Sequence, residues 1–272
     1  MIWMVLPICM TKAARIAISN QKGGVGKTTV AINVGGALNR RGHDVLFVDL
    51  DPQGNATEGL GLEDEYEAGP PTLFDALTDH EVRENVDAMV VTHEEMDVLP
   101  SNIDMTSVEP ELTTSMRGRE RLGKVLDALD AEYDVILIDC PPYLGNLTDN
   151  ALIAAGNVLI PALAESTSKR ALEILFDQIE VLEAEFDTGI RDVGVVANRV
   201  ETTNEADEML SWFENAFTDV PVWEVRKRVA LQRAFSAGCS IFEFDANCDM
   251  ATVFDDVAVE LERQFDLGRV TV

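Results

Sequence analysis

Lys22-Gly23-Gly24-Val25-Gly26-Lys27-Thr28-Thr29 is the stretch on which the fold turns. It follows a short β-branched run, Arg15-Ile16-Ala17-Ile18, and opens a segment of helical spacing from Thr28 to Arg41. Small residues between a strand and a helix let the backbone fold around phosphates, and the amide N–H groups of the helix start face an anion. In such a loop Lys27 neutralises β- and γ-phosphate charge, and the Thr28 hydroxyl ligates Mg²⁺. Gly23, Gly24, Val25, Gly26 and Thr29 complete the expected cradle. A glycine-rich turn alone would read as a helix cap, but Gly-Lys-Thr-Thr between strand and helix reads as a phosphate loop. The match departs from the usual GxxxxGK[ST] pattern in two ways: Gln21 stands at the first glycine position, and an extra lysine, Lys22, lies inside the loop.

Working outward, further apolar runs read as buried strands: Val45 to Val48, Val135 to Ile138, Val158 to Ile160 and Val193 to Val196. Helical spacing recurs over Arg119 to Leu129, Ser168 to Glu185 and Glu205 to Phe217. Strands apolar on both faces that alternate with helices predict an α/β fold, a doubly wound and mostly parallel sheet with helices on both sides. Gly61 to Asp97, broken by Gly69-Pro70-Pro71, reads as a surface excursion with short helices. Asp245 to Phe265 reads as one helix whose Val257, Leu261 and Phe265 share an apolar face packed on the body. Residues 11–272 form one domain on this reading. Residues 1–10 are an appendage: without a basic leading segment and a small-residue cleavage site they do not read as a signal peptide, and Met10-Thr11-Lys12 leading directly into the first strand is consistent with a mis-assigned start.

The 272 residues carry 49 acidic and 21 basic side chains, a net charge of −28. With 46% hydrophobic residues the chain has enough apolar surface for a sizeable core, which argues against intrinsic disorder. An acidic surface of this kind is found in proteins that work in concentrated salt, so a halophilic source is expected. The four cysteines, Cys9, Cys140, Cys239 and Cys248, have neither disulfide-framework nor zinc spacing, and a reducing cytoplasm fits them. No apolar run reaches the roughly 18 residues that span a bilayer.

Two aspartate-bearing segments follow at strand ends: Asp49-Leu50-Asp51-Pro52-Gln53-Gly54-Asn55-Ala56-Thr57 and Asp139-Cys140-Pro141-Pro142. Carboxylates at the carboxyl edge of a parallel sheet lie beside its ligand crevice. The loop with its extra lysine resembles the deviant Walker A phosphate loop of the ParA/MinD group of ATPases. The two aspartate segments, with Pro100-Ser101-Asn102 and the run from Asp139 to Ala155, are similar to ParA-type chromosome and plasmid partition ATPases, including the Soj branch. The resemblance implies ATP and Mg²⁺ as cofactors and an ATP-dependent homodimer in which Lys22 reaches the partner's phosphates, as arginine fingers do. It also implies that Asp51 positions or activates the attacking water and that Asp139 holds Mg²⁺ with Thr28, while Asp49 supports the site. Residues after Asp139 would form a switch that senses the γ-phosphate; Tyr143 stands there where the family usually has serine. Cys140 reads as a small buried residue beside a strand end.

By the same resemblance Asn198 and Arg199 lie at the adenine, and Pro221 offers it backbone contacts. Glu165 reads equally as a ribose-side contact in the dimer or as a solvated loop residue. Family members bind nucleoid DNA non-specifically and release it after a ParB-like adaptor stimulates hydrolysis, which implies a cytoplasmic, nucleoid-associated protein. The dense basic run for such a contact is Arg226-Lys227-Arg228 with Arg233; pairing of these cations with the chain's own carboxylates is the alternative. A MinD-like membrane cycle would need a basic amphipathic end, and Glu260 to Val272 is not one, so no membrane anchor is expected. A metabolic P-loop enzyme and a purely regulatory nucleotide-binding module are the remaining alternatives.

Overall fold

The computed structural model describes residues 13–268; the appendage expected at 1–10 lies outside them, as do residues 269–272. Eight strands make one sheet: β1 (Ala14–Ile18), β2 (Val45–Asp49), β3 (Val91–Thr92), β4 (Asp97–Leu99), β5 (Val135–Asp139), β6 (Asn157–Leu163), β7 (Arg191–Val200) and β8 (Val222–Arg226). Their order is β3-β4-β2-β5-β1-β6-β7-β8, and every pairing is parallel except β3 with β4. The central strands are apolar on both faces because the sheet is covered twice. Ala17, Leu46, Val48, Ile136 and Ile138 point into one core layer. Their alternating neighbours Ile16, Ile18, Phe47, Val135 and Leu137 point into the other.

The helices of seven or more residues are α1 (Lys27–Arg40), α2 (Val108–Thr114), α3 (Arg121–Asp127), α4 (Asn146–Ala155), α5 (Ser168–Phe186), α6 (Asn204–Ala216), α7 (Val229–Ser236) and α8 (Asp249–Phe265). Leu112, Leu122, Leu152, Leu175 and Phe213 bring α2 to α6 onto the first layer. Val34, Leu38, Leu231, Phe254 and Leu261 bring α1, α7 and α8 onto the second. Each large side chain buried this completely contributes about 1.5–3 kcal/mol relative to exposure. The α8 face is fixed to α1 by more than packing. Arg41 donates to Glu262 through Nε (2.8 Å) and Nη2 (2.9 Å) and to Asp255 through Nη1 (2.9 Å).

Several expectations need correction. The helix expected from Asp245 to Phe265 starts later, at Asp249: Asp245 ends a short helix, Ile241–Asp245, and the backbone breaks at Cys248, whose ψ is 135°. Val257 and Leu261 are fully buried as expected. Arg119 to Leu129 begins as a 3₁₀ turn, Gly118–Glu120, and the α-helix runs only from Arg121 to Asp127. Gly61 to Asp97 is more than a surface excursion: Leu73, Ala76, Leu77 and Val86 are core residues. This segment and its continuation also add the β3–β4 edge to the sheet. β8 is a strand that apolar patterning alone did not reveal.

Registers place the candidate site. Ile18 and Asp49 both align with Asp139, so β1, β2 and β5 end at one level. The phosphate loop, Asp51 and the Asp139 loop therefore all emerge at one carboxyl edge.

Candidate nucleotide site

Thr28 and Thr29 lie in the first turn of α1, whose N-cap Gly26 has a φ of 87°. Their amides belong to the four N–H groups that a helix start leaves without intrahelical partners. The loop is braced by side chains from the strand ends beside it. Asn198 Nδ2 donates to the Val25 carbonyl at 2.8 Å, and Arg199 Nη1 donates to the Gly24 carbonyl at 3.3 Å. Asn20 fixes the loop's start, accepting from the Lys22 amide (3.0 Å) and donating to the Pro161 carbonyl (2.8 Å). With these carbonyls engaged on the outside, the loop can turn its amides to an anion.

A cleft of about 460 Å³ opens in front of the loop. Gly23, Gly24, Gly26, Lys27, Thr28, Thr29 and Asp51 line it together with Asn198, Arg199 and the Arg226–Arg228 run. Only glycine suits position 26. A Cβ there would stand 2.1 Å from Asn198 Nδ2, at a φ that side chains rarely adopt. Gly26→Ala is therefore expected to open the Asn198 brace and weaken ATP binding at least tenfold. A fluorescent-ATP titration, with the melting temperature followed in parallel, checks this.

The charged groups of the loop and its neighbour Asp139 are desolvated. Burial pushes the Lys27 ammonium below its ordinary pKa, against the pull of Asp139. Burial and the adjacent Asp49 push Asp139 well above the carboxylate range. Asp139 Oδ2 accepts from Thr28 Oγ1 at 2.6 Å, while its Oδ1 is buried without a hydrogen-bond partner among the described residues. An orphaned, desolvated carboxylate oxygen beside a threonine hydroxyl suits a hard divalent cation. Two protein oxygens are few, and Mg²⁺ typically completes its shell with phosphates and water.

Asp51 lines the cleft and is positioned by a buried network behind it. Asp49 Oδ1 accepts from the Asp51 amide (3.1 Å), and Oδ2 accepts from the Thr57 amide and hydroxyl (both 2.8 Å). Ser101 Oγ donates to the Asp51 carbonyl (2.7 Å), and its amide donates to Thr57 Oγ1 (2.9 Å). Complete burial pushes Asp49 up to about 7 despite those hydrogen bonds. Burial also raises Asp51, with the Gln53 amide and Lys27 opposing. Asp49 thus supports rather than faces the cleft. Thr57 and Ser101 had been legible only as members of familiar runs, because their role appears when residues 44 and 50 positions apart meet.

The remaining expected residues are placed unequally. Lys22 does not line the cleft; its Nζ is held by Glu165 Oε2 (2.9 Å) and Thr167 Oγ1 (2.6 Å) on the turn between β6 and α5. Glu165, half exposed on this turn, is thus engaged by Lys22. Pro221 is a correction. It precedes β8, which runs parallel to β7, so it sits toward the opposite sheet edge and its carbonyl accepts from the Val195 amide (2.9 Å). The other end of β8 delivers Arg226, Lys227 and Arg228 to the cleft. Each has an internal carboxylate partner: Glu224 (2.8 Å), Glu201 (2.7 Å) and Asp249 (2.6 Å) respectively. Arg233 is exposed on α7 and outside the cleft lining. Arg199 has a φ of 54°, an uncommon conformation for a side-chain-bearing residue and one that recurs at binding sites. Cys140 is fully buried, and burial pushes its thiol up, as suits a packing residue.

A family model described as an AAA domain matches residues 13–191. The Bacillus subtilis sporulation initiation inhibitor protein Soj is 37% identical over 249 residues, covering 90% of this chain and 97% of the relative. The chain belongs to the ParA/Soj family of partition ATPases. Another member, the chromosome partitioning protein ParA of Caulobacter vibrioides, is 36% identical over 251 residues, covering 90% of this chain and 92% of its own. Among solved structures, cobyrinic acid a,c-diamide synthase from Mycobacterium smegmatis, with bound ADP and magnesium, superposes with a TM-score of 0.77. It is 29% identical, and the match covers 94% of this chain and 97% of that one. For this ParA/Soj-type ATPase, no helix among the described residues is long and apolar enough to cross a membrane.

Proposed function

We propose that this chain is an ATP-driven dimerisation switch that partitions chromosome or plasmid DNA. ATP and Mg²⁺ fill the cleft, two subunits close on each other, and slow hydrolysis, quickened by a ParB-like adaptor, returns them to monomers. The observation that carries this reading is Lys22: a second lysine of the phosphate loop whose ammonium sits outside its own cleft. A cation so placed is suited to a neighbour's phosphates, where it would stabilise charge on the transferring group.

The protein's own groups divide the chemistry. Loop amides and Lys27 bind and orient the triphosphate. Asp51, fixed by Asp49, Thr57 and Ser101, holds the attacking water in line; with its raised pKa it is also suited to accept a proton from that water. Thr28 and Asp139 would hold Mg²⁺, which neutralises phosphate charge when bound. ATP acts through a population shift, because its γ-phosphate makes contacts in the dimer that ADP cannot.

DNA binding is assigned to Arg226, Lys227 and Arg228, with Arg233 beside them. Their intramolecular partners do not preclude it: solvent-exposed ion pairs contribute little, so exchange for phosphate is inexpensive. Long-range repulsion from a net charge of −28 opposes it, and salt weakens phosphate contacts steeply. DNA pelleting with ATP, ADP or no nucleotide across a salt series tests the assignment. ATP-dependent retention at low salt is expected, reduced about tenfold or more when the three residues are replaced by alanine. Because all three also line the cleft, the variant's ATP affinity is measured alongside and must stay near wild type for the loss to count as DNA binding. No retention of the wild-type protein at any salt would contradict a nucleoid-associated role. The similarity to the diamide synthase structure favours a second reading as a metabolic ATP-dependent enzyme, and the same null result would favour it.

A further inference from the structure

We propose that Glu109, on α2, is a positioning residue for the switch loop that follows Asp139. This inference rests on the reading of the chain as an ATPase. The helix after that loop, α4, starts at Asn146 behind Gly145, a residue with no side chain to cap it. A helix start without a cap leaves N–H groups unsatisfied. Glu109 supplies the cap from 37 residues away: Oε2 accepts from the Asn146 amide and from Asn146 Nδ2 (both 3.0 Å). Its Oε1 accepts from the Leu147 amide (3.1 Å). A carboxylate at a helix N-terminus is also favoured by the helix dipole. Position 145 is shaped for this approach, since a Cβ on Gly145 would come within 2.7 Å of Glu109 Oε1.

The two ends of the loop are thereby tied to different parts of the molecule. Asp139, at its entrance, is bonded to Thr28 of the phosphate loop. Asn146, at its exit, is bonded to Glu109 and, through Nδ2, to Thr113 Oγ1 (2.9 Å), both on α2. The loop closes on itself where Thr148 Oγ1 donates to the Tyr143 carbonyl (2.6 Å). Further along, α4 is itself immobilised, because Asn150 accepts from the Leu122 amide (2.9 Å) and donates to the Gly118 carbonyl (2.8 Å). Residues 140–145 are thus a short span between two anchors. A change at the γ-phosphate moves the span productively only while the far anchor holds. Without Glu109 the same change would be absorbed by fraying of the first turn of α4.

Steady-state ATP hydrolysis and amide hydrogen exchange on Glu109→Ala and Glu109→Gln test the proposal. For Glu109→Ala, kcat is expected to fall tenfold or more with KM for ATP within twofold of wild type. The difference in exchange between ATP and ADP states over residues 140–150 should disappear. Glu109→Gln, which keeps one acceptor oxygen, should recover part of both. A kcat within twofold of wild type, or an exchange difference retained in both variants, would overturn the role. So would a kcat loss matched by a KM rise and a lowered melting temperature, the mark of a merely structural residue. If the wild-type protein hydrolyses no ATP, the ATPase reading itself falls. Exchange then decides separately: a difference between nucleotides lost in Glu109→Ala supports the anchor, and one that persists rejects it.

Discussion

Lys22→Ala is expected to bind ATP with near wild-type affinity yet neither dimerise nor turn over. The affinity should survive because Lys22 lies outside the cleft, where Lys27, Thr28, Thr29 and the loop glycines make the pocket. Its ammonium is instead held by Glu165 and Thr167. On the proposed cycle that pair is exchanged for the partner's phosphates when two subunits close. The free energy of closing then comes from meeting a triphosphate, and a methyl group in place of the ammonium has nothing to offer it. Cations delivered in trans to a transferring phosphoryl group accelerate hydrolysis by roughly 10³–10⁵, so a loss of at least a hundredfold is the expected scale. Light scattering of the Mg-ATP state, with a parallel hydrolysis assay, reads both effects. Wild-type mass and turnover in Lys22→Ala would remove the assigned role.

Asp51→Ala should separate the two halves of the cycle in the opposite sense. It leaves Lys22, Lys27 and the Thr28–Asp139 pair in place, so ATP binding and pairing persist. It removes the carboxylate proposed to orient water, and general-base groups of this kind contribute about 10²–10⁴ in rate. A dimer that forms with ATP and decays hundreds of times more slowly is the expected result, read by chasing the labelled dimer with excess ADP. Turnover equal to wild type would place the water elsewhere. Alanine is also informative structurally. The network beneath position 51 is built on its backbone amide and carbonyl, which bond Asp49 and Ser101 and survive the substitution.

Much of this was legible in the residues, for identifiable physical reasons. β1, β2 and β5 are buried on both faces, so their runs are continuously apolar and stand out. β8 reads Val-Trp-Glu-Val-Arg, lies at the sheet edge and is mostly half-buried, so charges interrupt it and the pattern fails. β4 has three residues and takes its place only through its pairing with β2 and β3. The phosphate loop could be read because its chemistry is contiguous. Lys22 was legible as an extra cation, but its contacts with Glu165 and Thr167 span 143 and 145 positions and exist only once the sheet is folded. Pro221 was misplaced for the converse reason. Its position depends on which end of β8 faces the cleft, and no local pattern records strand direction. The basic run was seen, but only Arg226 has a local partner, Glu224; Glu201 and Asp249 are 26 and 21 positions from Lys227 and Arg228 and meet them only in the fold.

The most direct measurement is a crystal structure of the Asp51→Ala protein with Mg²⁺ and ATP, in which slowed hydrolysis is expected to preserve the state of interest. Two subunits facing each other across a pair of nucleotides, with each Lys22 released from Glu165 and bonded to the other subunit's phosphates, is the predicted result. A solitary subunit with ATP in the cleft and Lys22 still bound to Glu165 and Thr167 would contradict it.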